Sequence, residues 1–295
     1  MEKKQIIGTG LSGLVGSRII ELLGSLYDFE DISRKTGTDI TDSDAVIQRI
    51  TASKAPVVLH LAAKTDVDGS EAEKDLGPES IAWMVNVDGT QHVVDACRQT
   101  GKKLIYVSTD MVFDGSKAQG QTYIETDTPN PANFYAQTKY ESEKIIASSG
   151  ISYIILRIAY PYRADFEKKE YVRTFISLLS QGKQIKAVSD HFFTPTFIDD
   201  LAGVLDGCVA KNLQGIYHAG GSEAVSPFIV ATSIAKEFGY SESLVTETTR
   251  AEYFIAKATR GFNLALNSDK IKQLGIGLRS FSEGLRVIKS QISNS

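Results

Sequence analysis

Short apolar, β-branched runs alternate along the chain with longer stretches in which apolar residues recur at helical spacing. That alternation predicts a parallel sheet covered by helices on both faces. Strands are predicted at residues 4–8, 29–33, 56–61, 103–108, 152–157, 184–188 and 215–219, with helices filling most of the intervals. Within residues 80–101, Ala82, Val85, Val93, Val94 and Cys97 share a helical period and Gly101 makes a stop. Gly89 interrupts this stretch and is expected where the helix closes on the sheet.

The alternation loosens after about residue 158, and no repeat, low-complexity run or Pro/Ser-rich linker divides the chain. The expected fold class is therefore α/β, a Rossmann-type doubly wound parallel sheet with a small interleaved lobe. Residues 1–158 would form the dinucleotide-binding domain, to which the chain returns at about 184–218. Residues 159–183 and 219–295 would form a substrate-binding lobe over the carboxyl ends of the strands, where open α/β sheets take ligands.

Composition adds mainly exclusions. The 295 residues are 42% hydrophobic and 23% charged, and 32 basic against 36 acidic residues give a net charge of −4 without long runs. Such a chain builds a globular core and offers no electrostatic footprint for a nucleic acid polymer or an anionic membrane. Cys97 and Cys208 stand far apart with no ligand spacing, so two buried reduced thiols are expected, with no disulfide and no metal site. The first ten residues lack the apolar core of a signal peptide, and no stretch approaches the roughly 20 apolar residues of a membrane span. A soluble cytoplasmic protein with a small-molecule partner is expected.

The first strand runs into "IIGTGLSGLVGSRIIELL", where Gly10, Gly13 and Gly16 give GxxGxxG at the opening of a helix. A glycine turn lets backbone approach a pyrophosphate, and free N–H groups at the helix start favour its charge. Gly10, Leu11, Ser12, Gly13, Leu14 and Gly16 are the expected cofactor loop. At the end of the second strand the sequence reads "DISRK". A strand ending at Ser33 brings Arg34 and Lys35 to the ribose and suits a 2′-phosphate, so NADP(H) is preferred and NAD(H) left open. A shift of about two residues would bring Asp31 there instead.

"NFYAQTKYESEKII" places Tyr135 and Lys139 four apart, on one face of a helix. A tyrosine ionises near pH ~10, so acid–base work at neutrality needs its anion favoured by about 4 kcal/mol, for which a nearby ammonium is suited. The spacing alone is common, and Tyr140 with Lys144 repeats it.

In order along the chain, the glycine loop, "HLAAKT", "VNVDGT", "YVSTD" and Tyr135-xxx-Lys139 make the sequence resemble the extended short-chain dehydrogenase/reductases over nearly all its length. The resemblance implies that Thr109 holds the substrate oxygen, that Tyr135 transfers a proton, and that Lys139 binds the nicotinamide ribose and tunes Tyr135. "STDMVFDG", "YIETDTPNPANFYAQTKYESE", "FFTPTFIDDLA" and "GIYHAGG" are similar to the dTDP-4-dehydrorhamnose reductase branch, whose members reduce a 4-keto sugar nucleotide. On that likeness Asp39, Ile40, Leu61, Ala62, Ala63 and Lys64 join the cofactor residues. Thr109, Asp110, Met111, Phe113 and Tyr160 are the substrate candidates. The branch usually has tyrosine at Met111 and tryptophan near Tyr160, and the segment "EKDLGPESIAW" is longer than usual; these departures bear on which sugar is taken.

The implied partner is a sugar nucleotide, and a homodimer is left open. Related dehydratases carry glutamate after the Thr-Asp pair; Met111 transfers no proton, which speaks against dehydration. An epimerase of the same superfamily, or a cofactor-binding regulatory subunit similar to that of methionine adenosyltransferase, are the alternatives. Elsewhere His60 reads as a core histidine and Asp199 and Asp200 as helix-start carboxylates. Asp190 and His191 are either sugar-pocket lining or a structural loop. Phe113 and Asp114 are either a pocket wall or a turn closed by Gly115.

Overall fold

The computed structural model describes residues 3–293. The β-branched runs form eight strands among the described residues: β1 (Lys4–Thr9), β2 (Tyr27–Ile32), β3 (Val57–His60), β4 (Lys103–Thr109), β5 (Tyr153–Ile158), β6 (Ile185–Val188), β7 (Gly215–His218) and β8 (Val245–Thr248). Six of them make one parallel sheet in the order β2-β1-β3-β4-β5-β7. The chain leaves β1 toward β2 on one side and returns to β3 on the other. That reversal opens a crevice beyond the strand ends.

Helices cover both faces because the strands are apolar on both. On one face α1 (Leu14–Leu23) packs with a later helix, Ile198–Ala210, over Ile6, Leu59, Ile105 and Leu156. On the other lie α2 (Ser43–Ala52), after which come the short α3 (Val67–Ala72) and α4 (Ile81–Trp83), then α5 (Gly89–Thr100) and α6 (Phe134–Ser148). Val46, Ile50, Val93, Val94, Cys97 and Ile146 from these helices close over Ile7, Val58, Leu104 and Ile155. Cys97 and Cys208 are both buried and free.

Residues 84–88, between α4 and α5, are wound as a π-helix. Gly89 does mark a close approach, but to Ile40 rather than to the sheet: a Cβ there would stand 2.8 Å from Ile40 Cγ1.

A second core lies beyond β5. There α7 (Tyr171–Ser180), α9 (Pro227–Phe238) and α12 (Phe281–Ser293) bury Val172, Phe193, Val230, Ile234, Phe281 and Leu285 around β6 and β8, with α8 being the helix Ile198–Ala210 already described. The expected strand at 184–188 forms, but it pairs with β8 in a two-stranded parallel sheet and not with the large one. The reason is that β7 already occupies the open edge of β5, while Ile185 and Ala187 bury into the second core. The chain thus rejoins the large sheet at α8 and β7. Nor does all of 219–295 pack in the lobe. After α10 (Arg250–Tyr253), Leu264 and Leu266 pack against Met111, Val112 and Phe113, and Ile271 of α11 (Asp269–Lys272) joins the core under the large sheet. No helix among the described residues is long and apolar enough to cross a membrane.

Candidate active site

The crevice is built from the first strand outward. Gly10 follows β1 with φ +69°, and a Cβ there would meet the Ala62 nitrogen at 2.6 Å, so only glycine lets the two strand exits touch. Gly16 on α1 has the same role against Leu11, with 2.5 Å to its Cα. Gly13 caps α1 with no side-chain partner, and no acidic residue occupies the first turn. The first N–H groups of the helix therefore face the crevice unneutralised. The Leu11 side chain is buried in the core under the sheet, so this residue offers the loop its backbone alone.

His60 fixes the neighbouring exit. Thr90 spends its one proton on the Asn86 carbonyl (2.6 Å), so His60 Nε2 donates to Thr90 (3.0 Å) and Nδ1 accepts from Thr9 (2.6 Å). The Thr9 hydroxyl then accepts from the Ala62 N–H at 3.2 Å. Burial, with the charge of Lys139, pushes the imidazole down to about 3, so it is a neutral core histidine. Asn86 extends the lattice: its amide accepts from Lys64 N–H (2.8 Å) and donates to the Lys64 carbonyl (3.2 Å) and to Thr138 (2.8 Å). Sequence reading does not single out Asn86, although it lies inside "VNVDGT".

A cavity of about 370 Å³ at the β2 end is lined by Ile32, Ser33, Arg34, Asp39, Ile40 and Ala62, among others, and Asp31 is not in its wall. Strand β2 ends at Ile32 and Ser33 bonds back to Asp31 at 2.7 Å, so Arg34 is the residue at the rim. Its Nε donates to Asp39 at 2.8 Å. Arg34 and, above all, the Thr41 N–H hold the Asp39 carboxyl below its usual range. Lys64 shares this cavity, yet its ammonium is paired with Glu73.

The larger cleft, about 580 Å³, runs from Gly10–Gly16 past Leu61, Ala62 and Ala63 to Thr109, Tyr135, Lys139, Tyr160 and Tyr171. Thr109 is the last residue of β4, and Tyr135 and Lys139 sit one turn apart on α6, whose first turn is capped by Asn133. All three are buried, whereas of the equally spaced Tyr140 and Lys144, which meet in a cation–π contact, Lys144 is exposed and Tyr140 only half-buried. Lys139 donates to the Val107 carbonyl at 2.9 Å and stands 4.0 Å from the Tyr106 ring centre. Burial pushes this ammonium down to about 7, opposed by Glu143. Burial and the charge of Asp110 raise the Tyr135 phenol, opposed by Thr109. The ammonium is thus directed at β4 rather than at the phenol, a divergence that spacing does not reveal.

Asp110 and Met111 line the same cleft, and so does Tyr160, which takes a left-handed φ of +41° rare for a tyrosine. The conformation is held by stacking on Phe193 (4.0 Å) and by a bond to His191. His191 Nδ1 donates to the Gly261 carbonyl (2.7 Å), so its Nε2 accepts from the Tyr160 hydroxyl (2.9 Å). His191 therefore supports the wall without facing the cleft. Asp190 pairs with Arg250.

Phe113 corrects an expectation. It is 1% exposed and stacks on Tyr123 at 4.1 Å under the Arg157 guanidinium, behind the cleft instead of in its wall. The turn reading holds for Asp114, which accepts from Ser116 N–H, Tyr123 and Asn130, followed by Gly115 at φ +75°. Asp199 and Asp200 pair with Arg18 and Arg279.

A parallel sheet that opens its crevice at the β1/β3 reversal, with acid–base side chains brought to it by the next strand and helix, makes this chain an NAD(P)-dependent oxidoreductase of the extended short-chain dehydrogenase/reductase class. More narrowly, it belongs to the RmlD substrate binding domain family, which matches residues 4–293. Among its relatives, dTDP-4-dehydrorhamnose reductase of Mycobacterium tuberculosis (strain ATCC 25618 / H37Rv) is 30% identical over 298 residues, covering 99% of this chain and 94% of the relative. Methionine adenosyltransferase 2 subunit beta of Xenopus tropicalis is 29% identical, covering 94% and 85%. The crystal structure of dTDP-4-dehydrorhamnose reductase from Bacillus anthracis str. Ames, in complex with NADP, superposes with a TM-score of 0.89 at 28% identity, covering 98% of this chain and 100% of that one.

Proposed function

We propose that the protein reduces a keto sugar nucleotide of the dTDP-4-dehydrorhamnose type with NADPH. The observation that carries this is the convergence of Thr109, Tyr135 and Lys139 in one cleft that continues into the glycine cradle. The cradle fits a dinucleotide: Gly10 and Gly16 leave no room for a Cβ, and the start of α1 carries no acidic side chain. When bound, the cofactor supplies a hydride to the carbonyl carbon. Thr109 orients the carbonyl oxygen, Tyr135 gives it a proton, and Lys139 holds the nicotinamide ribose. Tyr160 and Tyr171 close the far end of the cleft around the sugar, which makes the lobe beyond β5 the substrate side.

Preference for NADPH rests on Arg34. Its Nε is occupied by Asp39, while its two terminal nitrogens have no partner among the described residues and are available to a 2′-phosphate. Arg34→Ala is expected to raise KM for NADPH roughly tenfold and to leave KM for NADH within about twofold; equal changes for both cofactors would reject the assignment.

A regulatory-subunit reading is favoured by the methionine adenosyltransferase relatives, but it gives no account of an intact acid–base trio. The purified protein should oxidise NADPH with at least one of a panel of keto sugar nucleotides. Binding of cofactor with no oxidation by any of them, together with a co-purifying methionine adenosyltransferase, would establish the subunit reading instead.

A further inference from the structure

The segment "EKDLGPESIAW", Glu73 to Trp83, has no residue in the wall of the cleft that holds Thr109, Tyr135 and Lys139. One of its side chains, Ile81, instead enters the wall of the 370 Å³ cavity at the β2 end, together with Val85 four residues on. Ile81 is 54% exposed. An apolar side chain left in water at a cavity wall gains free energy when a ligand covers it.

Ile81 is held in that place from several sides. Glu73 pairs with Lys64, itself part of the cavity wall, and its other oxygen accepts from the Ala82 N–H at 3.2 Å. Ser80 caps α4: its Oγ accepts from the Trp83 N–H (3.1 Å) and donates to the Gly77 carbonyl (2.7 Å). The next two side chains are committed elsewhere, Ala82 to full burial and Trp83 to stacking on Phe134 of α6. The π-helix that follows is pinned through Asn86 to the Lys64 backbone and brings Val85 to the same cavity. One turn further on, Gly89 lies against Ile40, and His92 donates from Nδ1 to the Ile40 carbonyl at 3.0 Å. A single stretch of chain therefore supplies Ile81 and Val85 and fixes Ile40.

The lining by Ile32, Ile40, Ile81 and Val85 suits a flat uncharged aromatic group, and Arg34 at the rim suits a phosphate beside it. Resting on the reading of the crevice as a dinucleotide site, we propose that residues 73–83 carry one wall of the adenine site and that Ile81 is the side chain the adenine ring covers. Glu73 is then a positioning residue, tying that wall to Lys64. The contact is with the base alone, so it contributes equally to NADPH and NADH, whereas Arg34 distinguishes them. This assigns the longer segment to cofactor affinity instead of to the choice of sugar.

The test is calorimetric binding of NADPH, NADH and ADP-ribose to the wild type, Ile81→Ser, Ile81→Leu and Leu76→Ser. Leu76 is the control, 56% exposed on the same segment and absent from the cavity wall. Ile81→Ser should weaken all three ligands by the same factor, roughly fivefold, while Ile81→Leu and Leu76→Ser stay within about twofold of the wild type. In the wild type, ADP-ribose should shift the Ile81 δ-methyl NMR signal upfield through the adenine ring current and leave the Leu76 methyls in place. Unchanged binding in Ile81→Ser, a loss confined to NADPH, or an equal loss in Leu76→Ser overturns the role of Ile81 while the cofactor reading stands. A wild type that binds none of the three ligands overturns the dinucleotide reading and this proposal with it.

Discussion

Tyr135→Phe is expected to lower kcat by roughly 10²–10⁴-fold, the usual contribution of a positioned acid, while cofactor affinity moves by less than about twofold. The ring is buried beside Ala136, Met111 and Leu264, and phenylalanine fills the same space, so the fold survives the change. Among the described residues the phenol makes no structural hydrogen bond that the variant would break. The measurement is steady-state oxidation of NADPH together with cofactor binding by fluorescence. Undiminished turnover in the variant would remove Tyr135 from the reaction.

The largest expected loss of stability comes from a pair that sequence spacing does not flag. Arg157 on β5 and Glu143 on α6 are 1% and 3% exposed and meet through two bonds, Nε–Oε1 at 3.0 Å and Nη2–Oε2 at 2.7 Å. Arg157 also lies over the Phe113 ring and reaches His218 Nε2 at 3.4 Å. His218 Nδ1 faces the Tyr123 and Asn267 carbonyls, so it carries the proton and Nε2 accepts from the guanidinium. Glu143→Ala leaves the guanidinium buried without its anion and should cost about 3–5 kcal/mol, a fall of roughly 10 °C in Tm. The paired change Glu143→Leu with Arg157→Met should recover most of that loss, because no uncompensated charge is left behind. Equal Tm for wild type and Glu143→Ala would show that water or relaxation rescues the guanidinium.

The parallel sheet was legible because its strands are short β-branched runs and its helices keep their period; six of the seven predicted strands take their places in the large sheet. The seventh, at Ile185–Val188, has the same local character and joins β8 instead. Local pattern states that a segment is extended and says nothing about which edge is still free. The same holds for Gly89, whose need for a missing Cβ was readable while the neighbour responsible, Ile40, was not.

The sequence by itself determined the chemistry that depends on residue type and near spacing: the glycine cradle after β1, the hydroxyl and carboxylate at the end of β4, and the Tyr135/Lys139 face of α6. Tertiary structure alone decided what depends on relations across the chain. It separated Tyr135/Lys139 from the equally spaced Tyr140/Lys144 by burying both members of the first pair in the cleft while leaving Lys144 exposed and Tyr140 half-buried, and it turned Phe113 behind the cleft. It also aimed the Lys139 ammonium at β4, and it left Asp110 buried with no ion pair among the described residues. A charge titrates according to the groups and solvent around it, and those are assembled from β4, α6 and the chain beyond β5 only once the sheet has closed.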